Sequence, residues 1–391
     1  MTRIAISAYL RGNNWLGGVS YFRSLVSALR KYPVPNEFSV IILTNQSEAF
    51  GFHNDASVNI IDAPWLDSFG RFDYLLNGVI KTSGLINPLL YRYAKKSGID
   101  LITHSPVNVL NACPTLFWMQ DFQHCYFPEY FSRYERARRD RNIRLSSKAG
   151  DILFSSNSAA KDFRQFFPEL TSTRIHVLQF APLLDDKNNL PTRHELSLKY
   201  KFFGDYFFLP NQFWQHKNHS IVVEALRRLP STFQVVATGI LSDSRSNNHI
   251  QDILERIDRY SLNDRFKILG VIPRKDLLGL MLHSLCVINP SLFEGWSTTV
   301  EEAKYLGKRL LLSDIPVHRE QNPLDAIFFS PLEPDELAQA MHRVKDEYST
   351  PREQTRWIQG WDAYETSAER FSSQYIKIAK KILSLEPPEN T

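Results

Sequence analysis

Two glutamates, Glu294 and Glu302, frame the segment Phe293-Glu294-Gly295-Trp296-Ser297-Thr298-Thr299-Val300-Glu301-Glu302-Ala303, whose hydroxyl-rich turn has the composition to hold an anion. Before it, Leu285 to Pro290 is a short apolar run of buried-strand type. After it, Val300 to Leu306 has helical spacing closed by Gly307, and Arg309 to Ser313 has the pattern of a further strand. In a strand-turn-helix-strand unit of a parallel sheet, ligands gather at the carboxyl ends of the strands. There the free amides and the positive end of the helix dipole attract phosphate. Ser297, Thr298 and Thr299 suit that turn, so a phosphate-bearing ligand is expected. Thr298 and Glu301 also fit a local capping box, which can coexist with this role because Glu301 and Glu302 point to different faces of the helix.

The same residues resemble the E-x7-E motif of the retaining GT-B glycosyltransferases of family 4, a group that includes bacterial lipopolysaccharide and capsule enzymes. The likeness takes in Pro290-Ser291-Leu292, Glu294-Gly295 and Asp314-Ile315-Pro316. It implies that Glu294 accepts hydrogen bonds from the donor sugar and Glu302 from the nucleotide ribose.

A second matching stretch, Leu209-Pro210-Asn211-Gln212-Phe213-Trp214-Gln215-His216-Lys217-Asn218-His219, follows the first strand of the second half. Similar enzymes carry an arginine there and, after a fixed step, a lysine followed by Asn or Gly, and the two cations grip the donor diphosphate. Here Lys217-Asn218 matches the lysine, whereas Gln212 stands at the arginine position. That exchange removes a charge and a bidentate fork. The resemblance then leaves the diphosphate to Lys217, to amides at Ser297, Thr298 and Thr299, and to His216, with Asn211 and Gly295 lining the same site. Gly17-Gly18 resembles the glycine-rich first loop of these transferases, which brings backbone close to donor phosphate and acceptor. Neither the dinucleotide fingerprint nor a P-loop occurs in the chain.

In the first half, Phe117-Trp118-Met119-Gln120-Asp121-Phe122-Gln123-His124 ends a strand where many similar enzymes have a His-Asp pair. The chain has Gln120-Asp121 instead, with His124 shortly after. Asp121 is expected to orient or deprotonate the acceptor hydroxyl and His124 to contact acceptor or phosphate, which with Glu294 makes up the catalytic set. The alternative is an aspartate that caps the next turn and a histidine packed among Tyr126 and Phe127. His104, at another strand end, is a weaker candidate.

These motifs need elements to position them. A chain of 391 residues exceeds the size that one core usually serves. Strand and helix patterns alternate throughout, as in α/β layers on parallel sheets. The reading is an α/β chain of GT-B type: an acceptor-side Rossmann-like domain over residues 1–182, a linker over 183–202, a nucleotide-sugar-binding Rossmann-like domain over 203–364, and a terminal helix over 365–391 that packs on the first domain. Strands are expected at Ile4 to Ala8, Val40 to Thr44, Val58 to Ile61, Leu101 to His104, Thr115 to Met119 and Ile152 to Ser155. In the second half they are expected at Tyr206 to Pro210, Phe233 to Ala237, Phe266 to Leu269, Cys286 to Asn289 and Leu310 to Ser313. The terminal helix is expected at Thr366 to Leu383, with Trp357 and Trp361 just upstream.

Cys113, Cys125 and Cys286 have no metal-ligand spacing, and no Asp-x-Asp motif occurs, so no metal and no cofactor are expected. No stretch has the length and apolarity of a membrane span, and the N-terminus runs into a strand, so a cytoplasmic protein is expected. A formal charge of +4 admits an anionic partner without calling for nucleic acid. The segment Arg133 to Lys148 is strongly basic and, if helical, could meet anionic lipid at the inner face of the cell membrane.

The resemblance implies metal-independent, retaining transfer of a hexosyl group from a nucleotide-sugar to a glycan or lipid-linked glycan. Mannosyl transfer and a place in cell-surface polysaccharide or O-antigen synthesis both fit, and GDP- and UDP-linked donors are both open. A GT-B epimerase or phosphorylase, or a nucleotide-sugar-binding protein with a decayed site, would use the same fold.

Overall fold

The computed structural model describes residues 1–10, 16–32, 34–50, 58–66, 88–105, 112–148, 150–184, 189–242 and 248–385. The chain forms two compact units, one of Met1–Leu183 with Thr366–Thr391, the other of Leu184–Glu365.

In the first unit the described strands are β1 (Thr2–Ala8), β2 (Phe38–Thr44), β3 (Val58–Asp62), β4 (Leu101–Ser105), β5 (Thr115–Met119), β6 (Asp151–Phe154) and β7 (Arg174–Val177). They form one sheet in the order β3-β2-β1-β4-β5-β6-β7, paired parallel throughout. Helices α1 (Leu16–Lys31), α2 (Pro88–Ser97), α3 (Gln123–Tyr126), α4 (Arg133–Ser147) and α5 (Asn157–Phe166) connect them. The run Ile4, Ala5, Ile6 in β1 is wholly buried, as in a strand covered on both faces. Helix α1 buries Phe22, Leu25, Val26 and Leu29 at the spacing that announced it. The edge strand β7 was not foreseen, because Arg-Ile-His-Val is half polar and only partly buried.

The second unit opens with α6 (Arg193–Tyr200), within the stretch expected to be a linker. Thr192 and Glu195 close a capping box at its start, and Lys199 and Tyr200 both reach Asp276 at 2.5 Å, which ties the helix to this unit. Its strands are β8 (Phe207–Leu209), β9 (Val235–Ala237), β10 (Phe266–Ile268), β11 (Cys286–Asn289), β12 (Leu310–Ser313) and β13 (Ile327–Phe329). The intervening helices are α7 (His219–Arg227), α8 (His249–Arg259), α9 (Arg274–His283), α10 (Thr298–Tyr305), α11 (Pro316–Gln321) and α12 (Pro334–Glu347). The parallel order β10-β9-β8-β11-β12-β13 is that of a doubly wound sheet, and its direction reverses between β8 and β11. Ligands of such sheets bind at that switch point.

The last described helix, α13 (Thr350–Ile382), begins well before the expected Thr366, so Trp357 and Trp361 lie inside it. Its start crosses the end of α10 at very close range. A Cβ on Gly360 would stand 2.6 Å from the Tyr305 carbonyl oxygen, and one on Gly307 2.3 Å from Arg356 backbone. Beyond Thr366 the helix buries Phe371 and Tyr375, and the Tyr375 hydroxyl lies 2.9 Å from Thr103 Oγ1.

Candidate donor site

The loops that follow β8 and β11 carry Lys217 and Glu294, one on each side of the switch point. Lys217 ends a single 3-10 turn, Gln215–Lys217, and Asn218 next to it adopts the left-handed conformation, with φ 56°. The Asn218 amide donates to the carbonyls of Pro290 at 3.2 Å and Pro331 at 2.8 Å. The Leu292 N–H donates to the His216 carbonyl at 2.8 Å. These bonds stitch the two loops together and bring Lys217 Nζ to 2.5 Å from Glu294 Oε1.

Both partners are largely buried, the lysine side chain 13% and the glutamate side chain 8% exposed, so the pair is screened less than one on the surface. The Ser291 hydroxyl lies 2.7 Å from Glu294 Oε1 and 2.8 Å from Asn289 Oδ1. Asn289, the last residue of β11, also accepts from the Asn211 amide at 3.1 Å and donates to Ser297 Oγ at 2.8 Å. A buried chain of amides and hydroxyls therefore links Asn211, Asn289, Ser291, Ser297 and Glu294 into one frame.

Ser297 is the N-cap of α10, its hydroxyl accepting from the Val300 N–H. The capping box expected of Thr298 and Glu301 does not form. Glu301 is buried, its carboxyl raised above the usual range by desolvation, and Oε1 accepts from Gln321 at 2.9 Å. Gly295, Thr298 and Thr299 line the same turn, half-buried, with Thr299 Oγ1 3.5 Å from Asn211 Oδ1. The first amides of a helix lack intrahelical acceptors, and with its dipole they offer positive potential for a phosphate. Glu302 joins a different partner: Arg274, at the start of α9, holds its carboxylate at 2.6 Å. Gln212 is half-buried, and its Oε1 has no hydrogen-bond partner among the described residues.

Sequence reasoning missed Arg274, Asn289 and His318, and gave Ser291 no role beyond its place in the motif. A polar Asn closing an apolar strand was a signal for Asn289; no local pattern pointed to Arg274. His318 is fully buried, its Nδ1 2.9 Å from the Ser313 carbonyl oxygen, and burial pulls its pKa down to about 4.

The first-unit candidates have other surroundings. Gly17 and Gly18 lie in the first turn of α1, and a Cβ on Gly17 would meet nothing within 4 Å; residues 11–15 before them lie outside the described residues. Asp121 Oδ1 accepts from the Gln123 N–H at 3.0 Å, the capping role weighed above, and lies 3.7 Å from Arg139 Nη1. His124 is not placed to touch a substrate. Its side chain is 1% exposed, sits among Phe122 and Phe131, and directs Nε2 at Asp140 Oδ1, 3.1 Å away. His104 is buried too, with Nε2 2.7 Å from the Tyr21 hydroxyl and a pKa lowered to about 3 by desolvation.

Residues 204–360 match the family described as glycosyl transferases group 1. Along its whole length the chain is similar to a glycosyltransferase from Rickettsia africae ESF-5, with a TM-score of 0.69, 16% identity, and 100% of this chain and 99% of that one covered. It is similar to sucrose-phosphate synthase from Thermosynechococcus elongatus, with a TM-score of 0.69 and 14% identity over 99% of this chain and 100% of that one. HepE from Anabaena, in complex with UDP and glucose, gives 0.68 and 15% identity over 97% of this chain and 100% of that one. No curated protein matches the chain. The fold is that of these GT-B structures, and the match to the glycosyl transferases group 1 model lies within the second unit.

Proposed function

We propose that the chain is a retaining hexosyltransferase of family 4 type that takes its sugar from a nucleoside-diphosphate donor. The observation that carries the reading is the Lys217–Glu294 pair at 2.5 Å across the switch point of the second unit. A donor diphosphate would lie against Lys217 and the first turn of α10, and Glu294 would accept from sugar hydroxyls. Glu302 would accept from the ribose. As the glycosidic bond breaks, charge grows on the leaving phosphate, and Lys217 with the preorganised amides stabilises it there. Reaction on the same face would let that phosphate take the acceptor proton. This arrangement supplies the positive charge from the protein itself, in keeping with metal-independent transfer.

The UDP and glucose in the HepE complex support a uridine donor as the first to try, ahead of GDP-mannose. A cytoplasmic enzyme of cell-surface polysaccharide synthesis, working on a glycan or a lipid-linked glycan at the inner membrane face, fits the basic helix α4. No described helix is long and apolar enough to cross a membrane.

The test is a thermal-stability screen of the purified chain against UDP, GDP, ADP and their sugars, since a ligand that binds only the native state raises the melting temperature. One nucleotide and its sugar should stabilise the chain above the others. Equal, null responses to all would remove the donor reading.

A further inference from the structure

We propose that His124, Cys125 and Asp140 form a binding site for one borderline-soft divalent metal ion, of which Zn²⁺ is the best match. The three residues offer an imidazole nitrogen, a sulfur and a carboxylate oxygen within 4.8 Å of one another. His124 Nε2 is the common apex, 3.1 Å from Asp140 Oδ1 and 3.5 Å from Cys125 Sγ. With Zn–S near 2.3 Å and Zn–N and Zn–O near 2.0 Å, the edges of a tetrahedral site are about 3.6 Å for S···N and about 3.3 Å for N···O. The two separations made by the His124 apex are of that size before any ion draws them in, and the sulfur and carboxylate lie within 4.8 Å of each other.

Without an ion, Nε2–H can donate to the Asp140 carboxylate, with the Cys125 sulfur at most a weak second partner. A metal ion bonds to all three atoms. On binding, the thiol gives its proton to solvent as the sulfur–metal bond forms, and the thiolate and carboxylate balance the charge of the ion. A mixed set of thiolate, imidazole and carboxylate suits Zn²⁺ better than a hard ion such as Mg²⁺.

The surroundings set its strength. The Asp121 carboxylate adds negative charge that acts on both His124 and Cys125, and a water would complete the fourth position. Arg139, 3.7 Å from Asp121 and stacked over Phe131 at 4.7 Å, opposes the ion. His124 Nδ1 is buried without a hydrogen-bond partner among the described residues. Metal-bound histidines usually brace that nitrogen, so the affinity should fall about 10–100-fold short of a braced site. Two ligands come from the short α3 and one from α4, so the ion would fasten α3 to the basic helix.

The experiment uses the full-length, tag-free chain, stripped with chelator and titrated with Co²⁺ alone. The parent should show tetrahedral cobalt absorption and a thiolate-to-cobalt charge-transfer band, both displaced by Zn²⁺. Cys125→Ser should lose the band, Cys113→Ser should keep it, and Asp140→Asn should weaken Co²⁺ binding about tenfold or more. Melting curves without metal establish that the variants fold. If Cys125→Ser does not fold, Asp140→Asn, whose side chain is 39% exposed, carries the test. A parent without the charge-transfer band, a Cys125→Ser protein that retains it, or unchanged binding by Asp140→Asn overturns the proposal.

Discussion

The carbonyl oxygen of Asn211 approaches Gly239 so closely that a Cβ on the glycine would stand 2.5 Å from it. Gly239, beyond the end of β9, has φ +137°, a conformation that side chains disfavour. The loop bearing Gln212 and Lys217 is therefore laid against a glycine that nothing larger can replace. Gly239→Ala should lower stability by at least about 1–3 kcal/mol through backbone strain, and it should weaken nucleotide binding by pushing Asn211 away. Chemical denaturation and nucleotide titration of the same variant check both effects. A variant as stable as the parent, binding nucleotide equally, would show the close approach to be dispensable.

By the family resemblance, Gln212 is expected at the position of a phosphate-binding arginine. Gln212→Arg should raise nucleotide diphosphate affinity and steepen its fall with salt, because the added interaction is one between charges. Isothermal titration at two ionic strengths measures this. If affinity and salt slope were both unaltered, residue 212 would not face the diphosphate.

His219 ties the same loop to the core, with Nε2 3.2 Å from the Asn211 carbonyl oxygen and its ring stacked on Phe213 at 4.0 Å. Burial lowers its pKa from 6.5 to about 3. The unfolded chain therefore binds a proton, across that window, that the folded chain refuses. The histidine's contribution to stability is complete above pH 6.5 or so and is lost as pH falls towards 3, with a slope of at most about 1.4 kcal/mol per pH unit. His219→Gln, whose amide can keep the bond to Asn211, should flatten the decline of unfolding free energy between pH 6.5 and pH 5. Parallel pH profiles for parent and variant would assign the decline elsewhere.

The strands and helices that carry the donor motifs were legible because each is a contiguous apolar run with a clear period and a glycine or proline at its end. Strands β7 and β13 were not: both are short and edge-placed, β7 is half polar, and β13 is an apolar run of only three residues. The linker reading failed for the same reason that α6 is unusual: prolines and polar residues dominate the stretch, and only its capping box and the long-range bonds to Asp276 reveal a packed helix. At the site, Glu294 and Lys217 could be found from local spacing. The partners of Glu302 and His124 could not, since Arg274 meets Glu302 from another helix and Asp140 meets His124 across a turn. The catalytic reading of His124 rested on proximity to a strand end, which says nothing about whether the ring faces solvent or core.

Helix α4 leaves Arg133, Arg138, Arg141 and Lys148 exposed beside an exposed Tyr134, whereas Arg139 is engaged with Phe131 and Asp121. Changing those four cations to Gln should abolish co-sedimentation with vesicles containing anionic lipid, and the parent's binding should fade with salt. Equal binding by parent and variant would clear α4 of this role. No binding by either would favour an acceptor in solution.

Lys217 is the residue on which the proposed donor site turns. Isothermal titration of the parent and of Lys217→Ala with UDP, and with whichever other nucleotide the screen favours, tests that claim most directly. Loss of a buried charge-assisted bond should cost about 1.5–3 kcal/mol of binding, roughly tenfold to a hundredfold in affinity, and the ligand-free variant should melt lower because Glu294 is left largely buried without its cation. Equal affinity in parent and variant, or no nucleotide binding by the parent, would contradict a donor site at Lys217 and Glu294.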